Sequence, residues 1–508
     1  MSNRLSRRRL LSLLGTTVGL SVAASCAREK GPKPWDVIIV GGGNAGLPAA
    51  IFAAERGARI LIIDAAPELG GSLFLSSGQM SAAGTKLQAE KGIEDSPQSH
   101  YDDVMRISKG TADPEILRLA VDHAGPTFDW LMDNGFEVHG NHPVTGITHE
   151  PYSNARYAWG VKGGRSILKV LKEQLQPHVD AGLIDVRTST EVTALIQDAS
   201  GTVQGVVAKD AEGNRLEFLA TNTLLTCGGY ASNAEMWEQL EGVKDYSDVS
   251  YPYSQGIGIT LGLAAGGYVR GGEHHLPLFG AILADDNYPS RMIGAVRPWP
   301  PQRPPWEIYV NTEGQRFFAE DTASHDALEH ALMAQTEERC WVIFDAAIFE
   351  QAPQLVRGTF SGPWTQDDVH TAFDSGMAMF YKADTVADLA EQAGIHVQGL
   401  EQTVAEYNIG QANNADALGR KHLPLPIKQA PFYALQLQSW GLTGFAGIAV
   451  DDQLRVIRKD RSPIPNLYAA GELLGGGAFM GRSYCGGMFV TPALTFGRLL
   501  GQKLLSFA

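Results

Sequence analysis

The glycines Gly41, Gly43 and Gly46 are spaced as a phosphate cradle needs them. They follow the apolar run Trp35-Asp36-Val37-Ile38-Ile39-Val40 and open an alanine-rich stretch, 47–56, that reads as a helix. Gly41 permits a tight turn, Gly43 lets the backbone approach a pyrophosphate, and Gly46 lets helix pack closely on strand. Asn44 and Ala45 complete the turn at the helix N-terminus, where N–H groups and a partial positive charge favour an anion. A second apolar run, 58–63, ends in Asp64, about twenty residues on, where a carboxylate can accept from ribose hydroxyls. Strand, glycine turn, helix and distal acid together predict a dinucleotide site.

Such a site needs a large framework. The chain has 508 residues, enough for a nucleotide-binding domain and a further domain, and 44% of them are hydrophobic, so a sizeable core is expected. Its net charge of −15 becomes −19 once Arg4, Arg7, Arg8 and Arg9 are set aside. A surface of that sign repels nucleic acid and steers no dianion inward. Cys227, Cys340 and Cys485 lie far apart and suggest neither a disulfide framework nor a metal site; Cys227 and Cys340 read as small buried hydrophobes.

Residues 1–27 run basic, apolar, then small, which is the pattern of an export signal and is excluded from the fold. Ser6-Arg7-Arg8-Arg9-Leu10-Leu11 resembles a twin-arginine signal, the address of proteins exported already folded, so a periplasmic location is expected. Ala23-Ala24-Ser25-Cys26 departs from a lipoprotein box, because Ala23 stands where leucine is usual, and a lipid anchor at Cys26 is not the expectation. No later stretch reaches the roughly 18 apolar residues of a membrane span.

Beyond Asp64 come Glu68-Leu69-Gly70-Gly71-Ser72 and Ser76-Ser77-Gly78, a stretch of small residues. Here the sequence resembles the flavoproteins of the fumarate reductase and succinate dehydrogenase type, including their 3-ketosteroid dehydrogenase branch. Further segments carry the resemblance in family order: Thr226-Cys227-Gly228-Gly229, Gln255-Gly256-Ile257-Gly258, Val310-Asn311-Thr312-Glu313-Gly314-Gln315-Arg316-Phe317, Tyr468-Ala469-Ala470-Gly471-Glu472 and Thr495-Phe496-Gly497-Arg498. It implies FAD held by these segments, with Val192 and Gly487 among the contacts. It also implies an α/β fold: a discontinuous Rossmann-like FAD-binding domain, 31–272 and 426–508, interrupted by an inserted α+β capping domain, 273–425. Covalent members carry a histidine just after the second glycine segment; Ser72-Leu73-Phe74-Leu75 has none, so dissociable FAD is expected. Gly475-Gly476-Gly477 lacks the helix and acid of a second dinucleotide site, so electrons are expected to come from or go to a separate partner, a quinone or a redox protein.

On the substrate side the chain departs from the dicarboxylate clamp of fumarate reductases at all three places. Thr443 stands for a histidine, Ser324 or His325 for the proton-donating arginine, and Tyr484 for the last arginine. Without guanidinium forks a dicarboxylate loses its clamp. Ser483-Tyr484-Cys485-Gly486-Gly487 resembles instead the ketosteroid dehydrogenase segment whose tyrosine polarises the substrate ketone. A phenol suits that task because it donates without adding a full charge. His325 is the nearest titratable residue for the proton, expected to be poised near neutral pH. Arg482 is a candidate carboxylate ligand or a salt bridge to the cap. His149, Tyr152 and the pair His274-His275 read first as structural or surface residues. The resemblance thus implies an FAD-dependent oxidoreductase acting on a CH–CH bond next to a carbonyl of a bulky, apolar substrate. The alternatives are a respiratory reductase of an enoate, clamped by Arg482 or a cap arginine, and a flavin-binding protein without turnover.

Overall fold

The strand Trp35–Val40 is the reason the larger sheet forms where it does. Its residues 37–39 are wholly buried, a continuous β-branched run of the kind that suits a strand covered on both faces. In this computed structural model it lies between Ile60–Ile63 and Arg215–Leu225, parallel to both, with Val37 opposite Ile60 and Asn222. Ile184–Arg187 extends the sheet beyond Ile60–Ile63, and Pro463–Ala469 extends it beyond Arg215–Leu225, again in parallel. Neighbouring strands are thus far apart in sequence, as crossover connections require. The structure describes residues 34–147, 149–356, 358, 359 and 362–507; the export signal expected at 1–27 lies outside them.

A second sheet has the order Met292–Ala295, Leu278–Leu283, Phe432–Trp440, Arg339–Asp345, Ile308–Val310, with Phe380–Ala383 also paired to Phe432–Trp440. Its central strand therefore lies after residue 425, where the sequence reading returned the chain to the FAD-binding domain. The strand joins the second sheet because its partners on both edges do. Each sheet has its own apolar core, one built mainly from 37–276 and 445–505, the other from 279–437.

The chain passes from the first core to the second near 272–278 and returns near 440–446, and one buried group pins both of these crossings. Glu241 accepts from the backbone N–H of Phe445 at 2.7 Å and of Ala446 at 3.2 Å, and its other oxygen meets His275 Nδ1 at 3.0 Å. His275 Nε2 meets Glu338 of the second sheet's side at 3.2 Å. Burial opposes the charge on His275, but the two carboxylates outweigh it and raise its pKa to about 9. Among the described residues no helix is long and apolar enough to cross a membrane.

Candidate active site

The glycine turn has the shape its spacing predicts. Gly41 (φ +100°) donates to Ile63 O at 2.8 Å, and a Cβ there would sit 2.6 Å from the Cys227 backbone. A Cβ on Gly46 would sit 2.1 Å from Gly41 O, so helix Gly46–Glu55 rests directly on the strand. Gly43 differs from both: a Cβ there would meet only Gly71 Cα, at 3.9 Å. It faces open space at the helix N-terminus, which is where a pyrophosphate belongs.

Around that space the expected cofactor residues gather. Gly70 donates to Gly42 O at 2.9 Å, which brings Gly71 and Ser72 up to the turn. Gly471 (φ +83°) comes within van der Waals range of Ala45, and Glu472 lies against Gly229, beside Gly228. Gly258 packs on Cys227 Sγ. Ser77 and Gly78 lie on the Gly163-Gly164 turn, and Gly487 (φ +82°) is pressed against the Met80 backbone. Val192 is buried in strand Glu191–Gln197, just after Thr190, whose N–H bonds to Asp64 O at 3.0 Å.

Asp64 stands at the strand end as expected, but its oxygens already accept from Gly42 N–H at 2.7 Å and Ala66 N–H at 2.8 Å. Burial raises its pKa while those two bonds lower it. Each oxygen keeps a lone pair for ribose. Two buried oxygens, Asn44 Oδ1 and Glu472 Oε1, have no hydrogen-bond partner among the described residues, and burial raises Glu472 to about 7 against one opposing backbone bond. Orphaned buried acceptors demand a donor. Ribityl or ribose hydroxyls would supply it, so the residues present fit FAD.

On the other side, Tyr484 is buried, stacks on His149 (5.0 Å between centroids, 27°) and meets Phe445 edge-on. Its hydroxyl donates to Leu276 O at 3.0 Å. Burial first, then Glu329, Glu241 and Glu338, push its pKa far up, so it is a neutral phenol. The loop after it is held by Tyr152, whose hydroxyl donates to Gly486 O at 2.6 Å. Tyr152 is therefore a structural residue, as read from the sequence, and it positions the glycine pair.

Helix His325–Met333 presents the cap's contribution. Ser324 is its N-cap, accepting from Ala327 N–H at 3.1 Å, and its hydroxyl donates to Glu150. His325 is not poised near neutral pH: burial, then Arg297, lower it to about 4. Among the described residues Arg482 makes no salt bridge to the cap and its Nε is buried without a partner; its guanidinium bonds to His330 Nε2 at 3.2 Å. His275 is likewise internal, in its carboxylate pair.

The sequence reading missed Arg297 and Glu329. Arg297 opens a proline-rich stretch, 297–305, with its guanidinium near the Trp299 ring, and acts on His149, His325 and Glu329. Among the described residues no carboxylate comes within salt-bridge distance of it. Glu329 is fully buried, 3.7 Å from His149 Nδ1. His325, Asp326, Glu329 and His330 recur at helical spacing, a signal that could have marked this face.

A nucleotide cradle on a parallel sheet, with a neutral phenol and a cap helix that meet at His149, fits an FAD-dependent oxidoreductase. The chain belongs to the family described as "FAD binding domain", whose model matches residues 36–488. It is 27% identical over 476 residues to a fumarate reductase (cytochrome) of Shewanella frigidimarina, covering 93% of this chain and 77% of the relative. A urocanate reductase of Eggerthella lenta is also 27% identical, with 93% and 75% covered. The open conformation of a flavocytochrome c3 fumarate reductase superposes with TM-score 0.70 at 26% identity, over 94% of this chain and 79% of that one. A 3-ketosteroid Δ1-dehydrogenase of Sterolibacterium denitrificans has the same fold (TM-score 0.71, 18% identity, 93% and 99% covered). The protein is thus a dehydrogenase or reductase of the fumarate reductase and succinate dehydrogenase superfamily.

Proposed function

We propose that the protein reduces a carbon–carbon double bond conjugated to a carbonyl, using dissociable FAD. The observation that carries this reading is the His149 ring, which stacks on the neutral phenol of Tyr484 and lies in the field of an unpaired cation, Arg297. Bound FAD supplies the hydride chemistry at its N5. The chain's own residues handle the other end of the substrate. Tyr484, once its hydroxyl turns from Leu276 O, donates to the substrate carbonyl oxygen and stabilises the charge that develops there. Arg297, whose pKa burial lowers against the pull of Glu329, faces the same region and offsets that charge. The relatives named as reductases support the reducing direction. An anaerobic screen tests it: reduced enzyme is offered enones, including ketosteroids, and enoates, and flavin reoxidation is followed. Reoxidation by none of them would sink the reading.

A second reading is favoured by Arg297 alone. There the substrate is an enoate whose carboxylate pairs with the guanidinium, and Tyr484 only shapes the site. In both readings electrons arrive from a quinone or a redox protein, the FAD-loaded protein is exported by the twin-arginine route, and its place of work is the periplasm.

A further inference from the structure

We propose that Glu329 is the proton store of this site and delivers its proton through His149. The proposal rests on the functional reading above and names the residue that completes it.

The geometry is specific. Glu329 projects from helix His325–Met333 with its side chain 2% exposed, and its Oε2 is buried without a partner. Oε1 lies 3.7 Å from His149 Nδ1, which is also buried and unpartnered. Two unsatisfied groups thus face each other across a gap that a shift of under about 1 Å turns into a hydrogen bond. The far face of the imidazole stacks on Tyr484. A carboxylate with no donor in a buried site is costly, whereas a carboxylic acid aimed at an imidazole nitrogen is stable there.

The surrounding charges agree. Burial is the largest influence on Glu329 and raises its pKa well above the carboxylate range; Asp326 and Glu150 raise it further, and Arg297 alone opposes them. His149 is held neutral, at about 3, by burial first and then by Arg297 and His325. His325, at about 4, is neutral too. Glu329 is thus protonated at pH 7, and the charge it leaves on releasing its proton is attracted by Arg297. Once ionised, Glu329 has Arg297 beside it.

The step balances. Reduction of the double bond needs one hydride, with its electron pair, on one carbon and one proton on the other. The reduced flavin supplies the hydride. The proton leaves His149 Nε2 as the new C–H bond forms, while the Glu329 O–H bond breaks and an N–H bond forms at Nδ1. His149 ends neutral in its other tautomer and Glu329 ends as a carboxylate; a solvent proton taken up at Nε2, with the Nδ1 proton passing back to Glu329, restores both.

Two arms test this on the full FAD-loaded chain. In infrared difference spectra at pH 7, Glu329→Gln removes the carbonyl stretch of a neutral carboxylic acid; an unchanged band overturns the proposal, and no substrate is needed. In single-turnover reoxidation by an enone or enoate that the unaltered enzyme accepts, Glu329→Gln lowers the rate by about 10² to 10⁴ at equal FAD content. Glu329→Asp restores part of it. The unaltered rate stays level through neutral pH and falls only above the raised Glu329 titration, and this limb vanishes in Glu329→Gln. A normal rate with the same limb in Glu329→Gln overturns the proposal. If no compound reoxidises the unaltered enzyme, the functional reading fails and the infrared arm alone decides for Glu329.

Discussion

Tyr484 and Arg297 divide the two readings of the substrate, and their variants separate them. Tyr484→Phe removes one donor and no volume from a buried ring, so FAD content should hold. If a carbonyl is polarised there, turnover should fall about 10² to 10³, the usual cost of an oxyanion donor. If a carboxylate pairs with Arg297, Arg297→Ala should instead raise KM sharply while Tyr484→Phe works normally. Steady-state kinetics of both variants on the same accepted compound decide the matter. The pH profile is informative about His325 as well. With its pKa lowered to about 4, any step that depends on its titration has a limb near pH 4. A limb near 6.5 that disappears in His325→Ala would contradict the burial and the Arg297 contact that hold it down. Arg482 was the better carboxylate candidate by motif, yet it is engaged with His330, so Arg482→Ala should disturb cap packing more than substrate affinity.

At the scale of elements, the glycine turn separates space kept for a ligand from space filled by the fold. Gly43→Val places a side chain in the opening where only Gly71 stands near, so the protein should fold, remain soluble and be colourless. Gly46→Ala forces a methyl to within 2.1 Å of Gly41 O and should destabilise the whole sheet, by about 1–3 kcal/mol for such overpacking. Thermal unfolding of the two apoproteins, with absorbance for bound FAD, tells them apart. The crossings between the cores make a separate prediction. His275 has its folded pKa raised to about 9 from an ordinary value near 6.5. Its stabilisation is therefore complete below pH 6.5, declines as pH rises from there, and is gone above about 9. The gap in Tm between the unaltered protein and His275→Gln should be widest at pH 6 and close toward pH 10; a constant gap would mean the imidazole is uncharged in the fold.

For the molecule as a whole, what was legible followed from how local the constraint is. The cradle could be read residue by residue because a tight turn, a close approach and a helix resting on a strand each demand glycine within a few positions. Tyr484 stood out as a candidate because it abuts such a glycine pair. The strand Phe432–Trp440 could not be assigned to the second sheet, since its membership depends on partners about 95 and 155 residues earlier, at Arg339–Asp345 and Leu278–Leu283. Arg297 and Glu329 were hidden for the same reason: a loop and a helix meet His149 only once both cores have formed. That interdependence bears on the proposed export by the twin-arginine route. The FAD site is assembled from segments between Gly41 and Gly487 and is complete only in the folded chain. A cofactor held without a covalent bond must therefore be loaded before a folded-protein route and would be lost by threading an unfolded chain. Acid precipitation should release intact FAD into the supernatant, and flavin left in the pellet would speak for a covalent link. Replacing Arg7 and Arg8 with lysine should then leave the precursor in the cytoplasm, yellow and FAD-bound, because the twin-arginine receptor reads the guanidinium pair. Cell fractionation with flavin fluorescence checks both parts, and normal export of that variant would mean that the chain crosses unfolded and acquires FAD outside.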